Sequence, residues 1–254
     1  MQMMRKAQIG AAFGAAADHY EACASVQRDV ALHLAQMASP LRLPDDARIL
    51  EIGCGTGLLT REIRKCWPGA TLIATDISDD MLQIARRSGL DADFMVMDGE
   101  APTFDAPSFD LILSSLTFQW FTDLPGALMR LHGLLKPGGS LSFSTMGSES
   151  FARWREAHDS CAETAGIASY PTLDELRTLL APYPDAFARD EHHPLPNSGG
   201  AALIHHFRSI GAQVPRDGYR PLSPAALRRV IRAFDLAGGE TSYHVLYGRI
   251  THAD

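Results

Sequence analysis

The chain has 254 residues, 46% of them apolar, with 23 basic residues against 30 acidic ones and a formal net charge of −7. That length suits one large α/β domain with insertions, or a domain with a cap, and the acidic balance argues against broad nucleic-acid binding, which needs surplus Lys and Arg to neutralise phosphates. No stretch approaches 18 apolar residues, so no membrane span is expected; the N-terminus lacks the apolar segment of a signal peptide, and four cysteines without a CxxC pair or metal-ligand spacing read as reduced thiols of a cytoplasmic protein.

Residues 8–38 carry Ile9, Phe13, Ala16 and Tyr20, then Val26, Val30, Leu34 and Met37, at helical spacing, and Pro40 and Pro44 close the region. Strands are predicted at 48–53, 71–76, 93–97, 109–114 and 139–145, alternating with helices near 57–66, 79–88, 123–135 and 149–161. Ser78 or Asp79 suits the cap of the second of these helices. Pro137-Gly138-Gly139 makes the turn into the fifth strand. Regular alternation implies a parallel sheet with helices on both faces, and such sheets bind ligands beyond the carboxyl ends of their strands. Gly53, Asp76, Asp98 and Ser114 all fall there. Residues 151–238 read as mainly helical, punctuated by Pro171, Pro182, Pro184, Pro194 and Pro196, and Tyr243–Ile250 alternates as a final strand. The organisation is thus an N-terminal helical cap (1–44), a ligand-binding core (45–150), and a helical insertion with final strands that complete the sheet (151–254).

The segment Ile49-Leu50-Glu51-Ile52-Gly53-Cys54-Gly55-Thr56-Gly57, with Asp76 nineteen residues on, reads as strand, glycine turn, helix, strand, carboxylate. Glycines permit positive φ and let a ligand lie on bare backbone, and a carboxylate ending the second strand can accept from both ribose hydroxyls. A dinucleotide site needs G-x-G-x-x-G; here the third position is Leu58. Glu51, two residues before the first glycine, repels a pyrophosphate but suits a ligand carrying an ammonium and a sulfonium. S-adenosylmethionine, leaving as S-adenosylhomocysteine, is the expected ligand. Asp98 suits the adenine amino group, with Gly99 leaving room for the ring, or else caps a helix. Ile77 and Met81 are adenine walls or ordinary core. The hydroxyls of Ser114 and its neighbour line the floor near the methyl group or merely end the strand. Gln119-Trp120 is the substrate candidate, Trp120 offering an apolar wall and one N–H donor or a core ring. The pairs His192-His193 and His205-His206 do not make a metal site, because adjacent residues face apart and no convergent carboxylate is evident. Basic residues are 20 Arg and 3 Lys; Arg220, Arg228, Arg229 and Arg232 form a C-terminal basic island that suits an acidic partner or is a solvated face.

These segments resemble the malonyl-acyl-carrier-protein O-methyltransferases of biotin synthesis (the BioC family), within the class I methyltransferase fold. AAFGAAADHYEACASVQR is similar to that family's first helix, and EIGCGTG, TDIS and MDGE to cofactor motifs shared by all class I methyltransferases. More specific are Leu116-Thr117-Phe118-Gln119-Trp120, Phe207-Arg208-Ser209-Ile210-Gly211-Ala212 and the closing Ser242-Tyr243-His244-Val245-Leu246-Tyr247-Gly248. Arg208 stands where many relatives are expected to have lysine. The resemblance implies a Rossmann-like, mostly parallel seven-stranded sheet with helices on both faces. It implies a cofactor set extended by Cys54, Gly57 and Glu100, a substrate site including Gln119 and Tyr243, and no metal. It also implies methyl transfer to the free carboxylate of malonyl-acyl carrier protein, with Tyr20 and Trp120 closing the pocket and Arg208 anchoring the carboxylate. Competing expectations are methylation of a small free carboxylic acid of the trans-aconitate type, and a non-catalytic S-adenosylmethionine-binding assembly factor.

Overall fold

A computed structural model describes residues 2–195, 199–216 and 218–253. Two helices open it, α1 (Gln2–Cys23) and α2 (Ser25–Ala38), which break at Ala24. The core follows as β1 (Arg48–Ile52), α3 (Leu58–Cys66), β2 (Thr71–Asp76), α4 (Asp79–Arg87), β3 (Asp93–Val96), β4 (Phe109–Ser114), a 3₁₀ turn at Phe118–Trp120, α5 (Leu124–His132) and β5 (Leu135–Met146). Then come α6 (Ala152–Ser160), α7 (Leu173–Leu180), β6 (Phe187–Pro194), α8 (Gly200–Ser209), α9 (Pro224–Leu236) and β7 (Ser242–Thr251).

Local chemistry explains the helix starts. Ser78 caps α4 by accepting from the Met81 N–H at 3.4 Å, with Asp79 and Asp80 in the first turn and Arg86 and Arg87 in the last, all favourable to the helix dipole. Thr172 and Glu175 make a reciprocal capping box for α7, and Ser223-Pro224 starts α9. The strand order is β3-β2-β1-β4-β5-β7-β6, parallel through β5, with β7 antiparallel to β5 and β6 antiparallel to β7. Alternate residues serve opposite faces: Ile49, Leu111, Leu113, Val245 and Tyr247 enter one core, Leu50, Ile52, Ile112 and Leu246 the other.

One strand lies where helix was expected. β6 falls within residues 151–238, and its sequence, Phe-Ala-Arg-Asp-Glu-His-His-Pro, has almost no apolar face. It is the outermost strand, paired on one side only, so polarity costs it little and guards against edge-to-edge pairing.

α1 covers the carboxyl end of β2 and the start of α4. A Cβ on its Gly14 would stand 2.5 Å from Asp80 Oδ2, so the helix lies against α4 as closely as glycine permits. Among the described residues no helix is long and apolar enough to cross a membrane.

Candidate active site

Beyond the carboxyl ends of β1 and β2 lies a cavity whose floor is the glycine turn. Gly53 and Gly55 take positive φ, +69° and +55°. A Cβ on Gly53 would strike the Thr117 side chain at 2.1 Å, whereas one on Gly55 would meet nothing within 4 Å and would stand in the cavity itself. Space kept clear by a glycine is space for a ligand. Asp76 holds the turn: Oδ2 accepts from the Gly55 N–H and Oδ1 from the Ser78 N–H, both at 2.8 Å. Each oxygen keeps a lone pair for a hydroxyl donor, and burial raises the acid's pKa.

Glu51 reaches the same cavity from β1 and is 1% exposed. Its Oε2 accepts from the Thr60 hydroxyl at 2.6 Å, and among the described residues no lysine or arginine pairs with it. Burial first, with the nearby charge of Asp76 adding to it, pushes Glu51 up to about 8 despite the Thr60 bond. Among the described residues no lysine or arginine pairs with the half-buried Asp76 either, and the two acids, when ionised, form a receptor for a cation. Cys54 lines the cavity beside them, its thiol raised by burial.

The opposite end is built from Ile77 and Met81, which form apolar walls, and from Asp98 and Gly99 at the end of β3. A Cβ on Gly99 would stand 2.4 Å from Ile52 Cγ2, so only glycine fits. Lys6 of α1 places Nζ 2.6 Å from Asp98 Oδ2 and 2.5 Å from Glu100 Oε2. Burial works against its charge, yet the two carboxylates hold Lys6 above the ordinary lysine value.

Three residues expected to contact the cofactor lie outside the cavity lining. Glu100 does not line the cavity; it is buried behind it, accepting from the backbone N–H groups of Thr122 and Asp123 at 2.8 and 2.7 Å as well as from Lys6. Ser114 turns its hydroxyl to the Ile52 carbonyl at 2.9 Å, and the neighbouring Ser115 faces the cavity instead. Gly57 stands behind the turn as the left-handed cap of α3, where a Cβ would lie 2.7 Å from Leu90 Cδ1.

A second, larger chamber of about 480 Å³ opens beside the first. Phe13, Tyr20, Gln27, Leu116 and Trp120 line both, so they form the junction. Phe13 meets Trp120 edge-on, ring centroids 5.4 Å apart, and brings α1 down on this point. Leu116 has φ +48°, a conformation unfavourable for its side chain, held by bonds from its N–H to the Ser144 carbonyl and hydroxyl at 3.1 and 3.0 Å. Burial, with Asp76 nearby, raises the Tyr20 phenol well above its ordinary value, so it stays a neutral donor.

Gln119, Tyr243 and Arg208 line only the outer chamber. Gln119 is committed to the backbone, donating to the Leu116 carbonyl at 2.6 Å. Arg208, on α8, is exposed at the chamber's edge. The other arginine of the lining, Arg5, donates to the Pro215 carbonyl at 2.9 Å.

The histidines differ from expectation in one respect. A carboxylate does converge on one of them: ligand atoms of Glu149, His192 and His244 lie within 4.8 Å of one another. Both ring nitrogens of His244 are nevertheless engaged, Nδ1 by the Glu149 N–H at 3.2 Å and Nε2 by Asp190 at 3.0 Å. Arg220, Arg228, Arg229 and Arg232 of the basic island are all exposed, and Arg229 pairs with Glu163 at 2.8 Å.

Two functional candidates escaped the sequence reading. Lys6 gave no signal. Gln27 gave one: it is the polar residue on the face of α2 that buries Val30, Ala31 and Leu34.

The methyltransferase-domain family matches residues 21–183. The chain is 38% identical over 257 residues to the malonyl-[acyl-carrier protein] O-methyltransferase of Magnetococcus marinus, covering 98% of this chain and 94% of that one. It is 42% identical over 242 residues to the biotin biosynthesis bifunctional protein BioCD of Bordetella avium, covering 95% of this chain; it spans about half, 51%, of that relative's length. Among solved structures it resembles Haemonchus contortus phosphoethanolamine N-methyltransferase 2 in complex with phosphomonomethylethanolamine and S-adenosylhomocysteine. That match has a TM-score of 0.57 and 17% identity, over 87% of this chain and 52% of the other, a likeness of fold.

Proposed function

Since the chain belongs to the malonyl-[acyl-carrier protein] O-methyltransferase family, we propose that its two cavities receive the methyl donor and the malonyl thioester on either side of one transfer point. The enzyme methylates the free carboxylate of malonyl-acyl carrier protein with S-adenosylmethionine, a step of biotin synthesis. The observation that carries the division of labour is the junction: a cation-seeking pair of carboxylates on one side, a roomy aromatic chamber on the other, and Tyr20 and Trp120 between them.

When bound, S-adenosylmethionine supplies a sulfonium methyl that passes to a carboxylate oxygen, leaving S-adenosylhomocysteine. For the inner cavity, Glu51 receives the ammonium, Asp76 the ribose hydroxyls, and Asp98 the adenine amino group, with Ile77 and Met81 against the ring and Gly53, Cys54, Gly55 and Gly99 yielding backbone space. A malonyl carboxyl, with a pKa of roughly 4 like Asp, is about 99.9% ionised at pH 7. A general base would have nothing to remove. What remains for the protein is alignment of oxygen, carbon and sulfur at about 3 Å and exclusion of water from the reacting pair. Phe13, Tyr20 and Trp120 close the point of transfer. Arg208 supplies the outer chamber's cation for drawing in and anchoring the malonyl anion.

The same proposal places carrier-protein docking on Arg220, Arg228 and Arg232, with Arg229 weakened by its bond to Glu163, and the enzyme in the cytoplasm.

A mass-spectrometric assay with malonyl-, succinyl- and acetyl-carrier protein, malonyl-CoA and free trans-aconitate tests this. Methyl transfer confined to malonyl thioesters is expected. Equal transfer to the free acid would replace the carrier-protein reading, and uptake of the donor without any S-adenosylhomocysteine would make the chain a binding protein. Arg208→Ala is expected to lower kcat/KM for malonyl-carrier protein by about tenfold or more, as for loss of a hydrogen-bonded charge, with unchanged donor affinity. Equal turnover in variant and parent would remove Arg208 from the reaction.

A further inference from the structure

Resting on the carboxyl-transfer reading, we propose that Gln27 is the neutral hydrogen-bond donor that holds the substrate carboxylate at the junction, and that Tyr243 and His206 set the orientation of its amide. Gln27 is only 8% exposed, yet it lines both cavities. Its Oε1 is buried without a hydrogen-bond partner, a costly arrangement for an amide unless a ligand completes it. Nε2 lies 3.4 Å from the Tyr243 hydroxyl, and that hydroxyl lies 2.7 Å from His206 Nε2. Three buried polar side chains from α2, β7 and α8 therefore form one chain that ends at the transfer point.

The chain has two self-consistent hydrogen patterns. With His206 Nε2 bare, Tyr243 donates to it, Gln27 Nε2 donates to the Tyr243 oxygen, and the end of the amide left unpartnered is Oε1, an acceptor that can only repel an anion. With the proton on His206 Nε2, that nitrogen donates to the Tyr243 oxygen, Tyr243 donates to Gln27 Oε1, and the end of the amide left unpartnered is its N–H groups. An amide has nearly the same shape in both orientations. Both patterns leave His206 neutral, as burial and then the neighbouring His205 favour. A carboxylate at the junction is stabilised only by the second.

The junction residues Phe13, Tyr20, Gln27, Leu116 and Trp120 include no charged side chain. A neutral donor there suits the chemistry. While Arg208 draws in and anchors the malonyl anion from the outer chamber, Gln27 orients the attacking oxygen at the junction without placing a second cation beside the sulfonium, so that oxygen stays nucleophilic. Gln27 is thus a substrate-binding residue, and Tyr243 and His206 are positioning residues.

The test uses the full-length enzyme with malonyl-carrier protein, comparing Gln27→Leu, Tyr243→Phe and the double variant, with donor affinity measured by calorimetry. Gln27→Leu is expected to lower kcat/KM by roughly ten- to hundredfold, as for loss of a bond to a charged group, while the donor Kd stays within about twofold, well under the tenfold step of a lost bond. Tyr243→Phe should give a smaller loss, and the double variant no more than Gln27→Leu alone, because the relay acts only through the amide. Unchanged kcat/KM in Gln27→Leu, or losses that multiply in the double variant, would overturn the proposal. Should Gln27→Leu fold poorly, Gln27→Met, closer in shape, is held to the same criteria. An inactive parent enzyme would instead sink the carboxyl-transfer reading itself; an active parent with an indifferent Gln27→Leu sinks only this inference.

Discussion

At the scale of single residues, the inner cavity turns on Glu51. Its spacing before Gly53 marks it in the sequence, but only the fold shows it buried, bonded to Thr60 and beside Asp76. Because burial and Asp76 push it up to about 8, it is largely protonated near neutrality, and a cationic ligand must expel that proton. The sign follows: below the raised pKa, binding carries the cost of deprotonation, so affinity for S-adenosylmethionine should strengthen from about pH 6 to about pH 8 and level off above. Calorimetry in buffers of different protonation enthalpy should register proton release at pH 7. In Glu51→Gln the slope should vanish and affinity fall by about tenfold or more. A wild-type Kd indifferent to pH would place Glu51 away from the ligand's cation. Glu100 and Ser114 show the limit of motif adjacency. Each stands next in the chain to a residue that does line the cavity, Gly99 and Ser115 respectively, yet their polar groups turn to Thr122, Asp123 and Lys6, and to Ile52. A neighbour along the chain shares a neighbourhood but not a direction.

At the scale of elements, α1 carries the most function for the least sequence signal. Its apolar spacing predicts a helix, and Tyr20 was expected to close the pocket, but Lys6 on the Asp98–Glu100 pair and Gly14 against Asp80 are visible only once α1 lies across α4. Gly14→Leu tests this docking. A Cβ there pushes aside the Asp80 carboxylate at 2.5 Å and crowds Asp80 Cβ and Ser78 Oγ, both at 3.2 Å, and the rest of a leucine side chain wedges the two helices apart. Donor affinity should drop by about tenfold or more, an order of magnitude consistent with losing the Lys6 bonds and the aromatic closure at Phe13. Limited proteolysis should then cut within residues 2–23 while the rest of the chain stays resistant. Parental affinity and an intact α1 would show that the helix bears no part of the site. β6 presents the converse case: a strand that its own composition conceals, since an edge position asks for hydrogen bonds from one neighbour and little burial.

At the scale of the whole molecule, the chain's net charge of −7 repels an acidic partner at long range, so the proposed docking of a carrier protein on the basic island requires a local positive region. Arg228→Glu with Arg232→Glu is expected to raise KM for malonyl-carrier protein severalfold, more at low salt than at high, since screening shortens the reach of exposed charges to about 10 Å at 0.1 M. Activity on malonyl-CoA should be untouched. Equal losses on both substrates would assign the helix to folding instead. The alternation of elements, the glycine turn and the carboxylates closing β1 and β2 were all readable along the chain, because each depends on residues close in sequence: periodicity, permitted φ and strand-end position are local properties. The pairing of Gln27, Tyr243 and His206, the reach of Lys6, and the separation of Arg208 from the inner cavity were not. They join α1, α2, α8 and β7, brought together by burial of side chains scattered over more than two hundred positions, and no spacing rule relates residues whose contact exists only after the two cores have closed around the sheet.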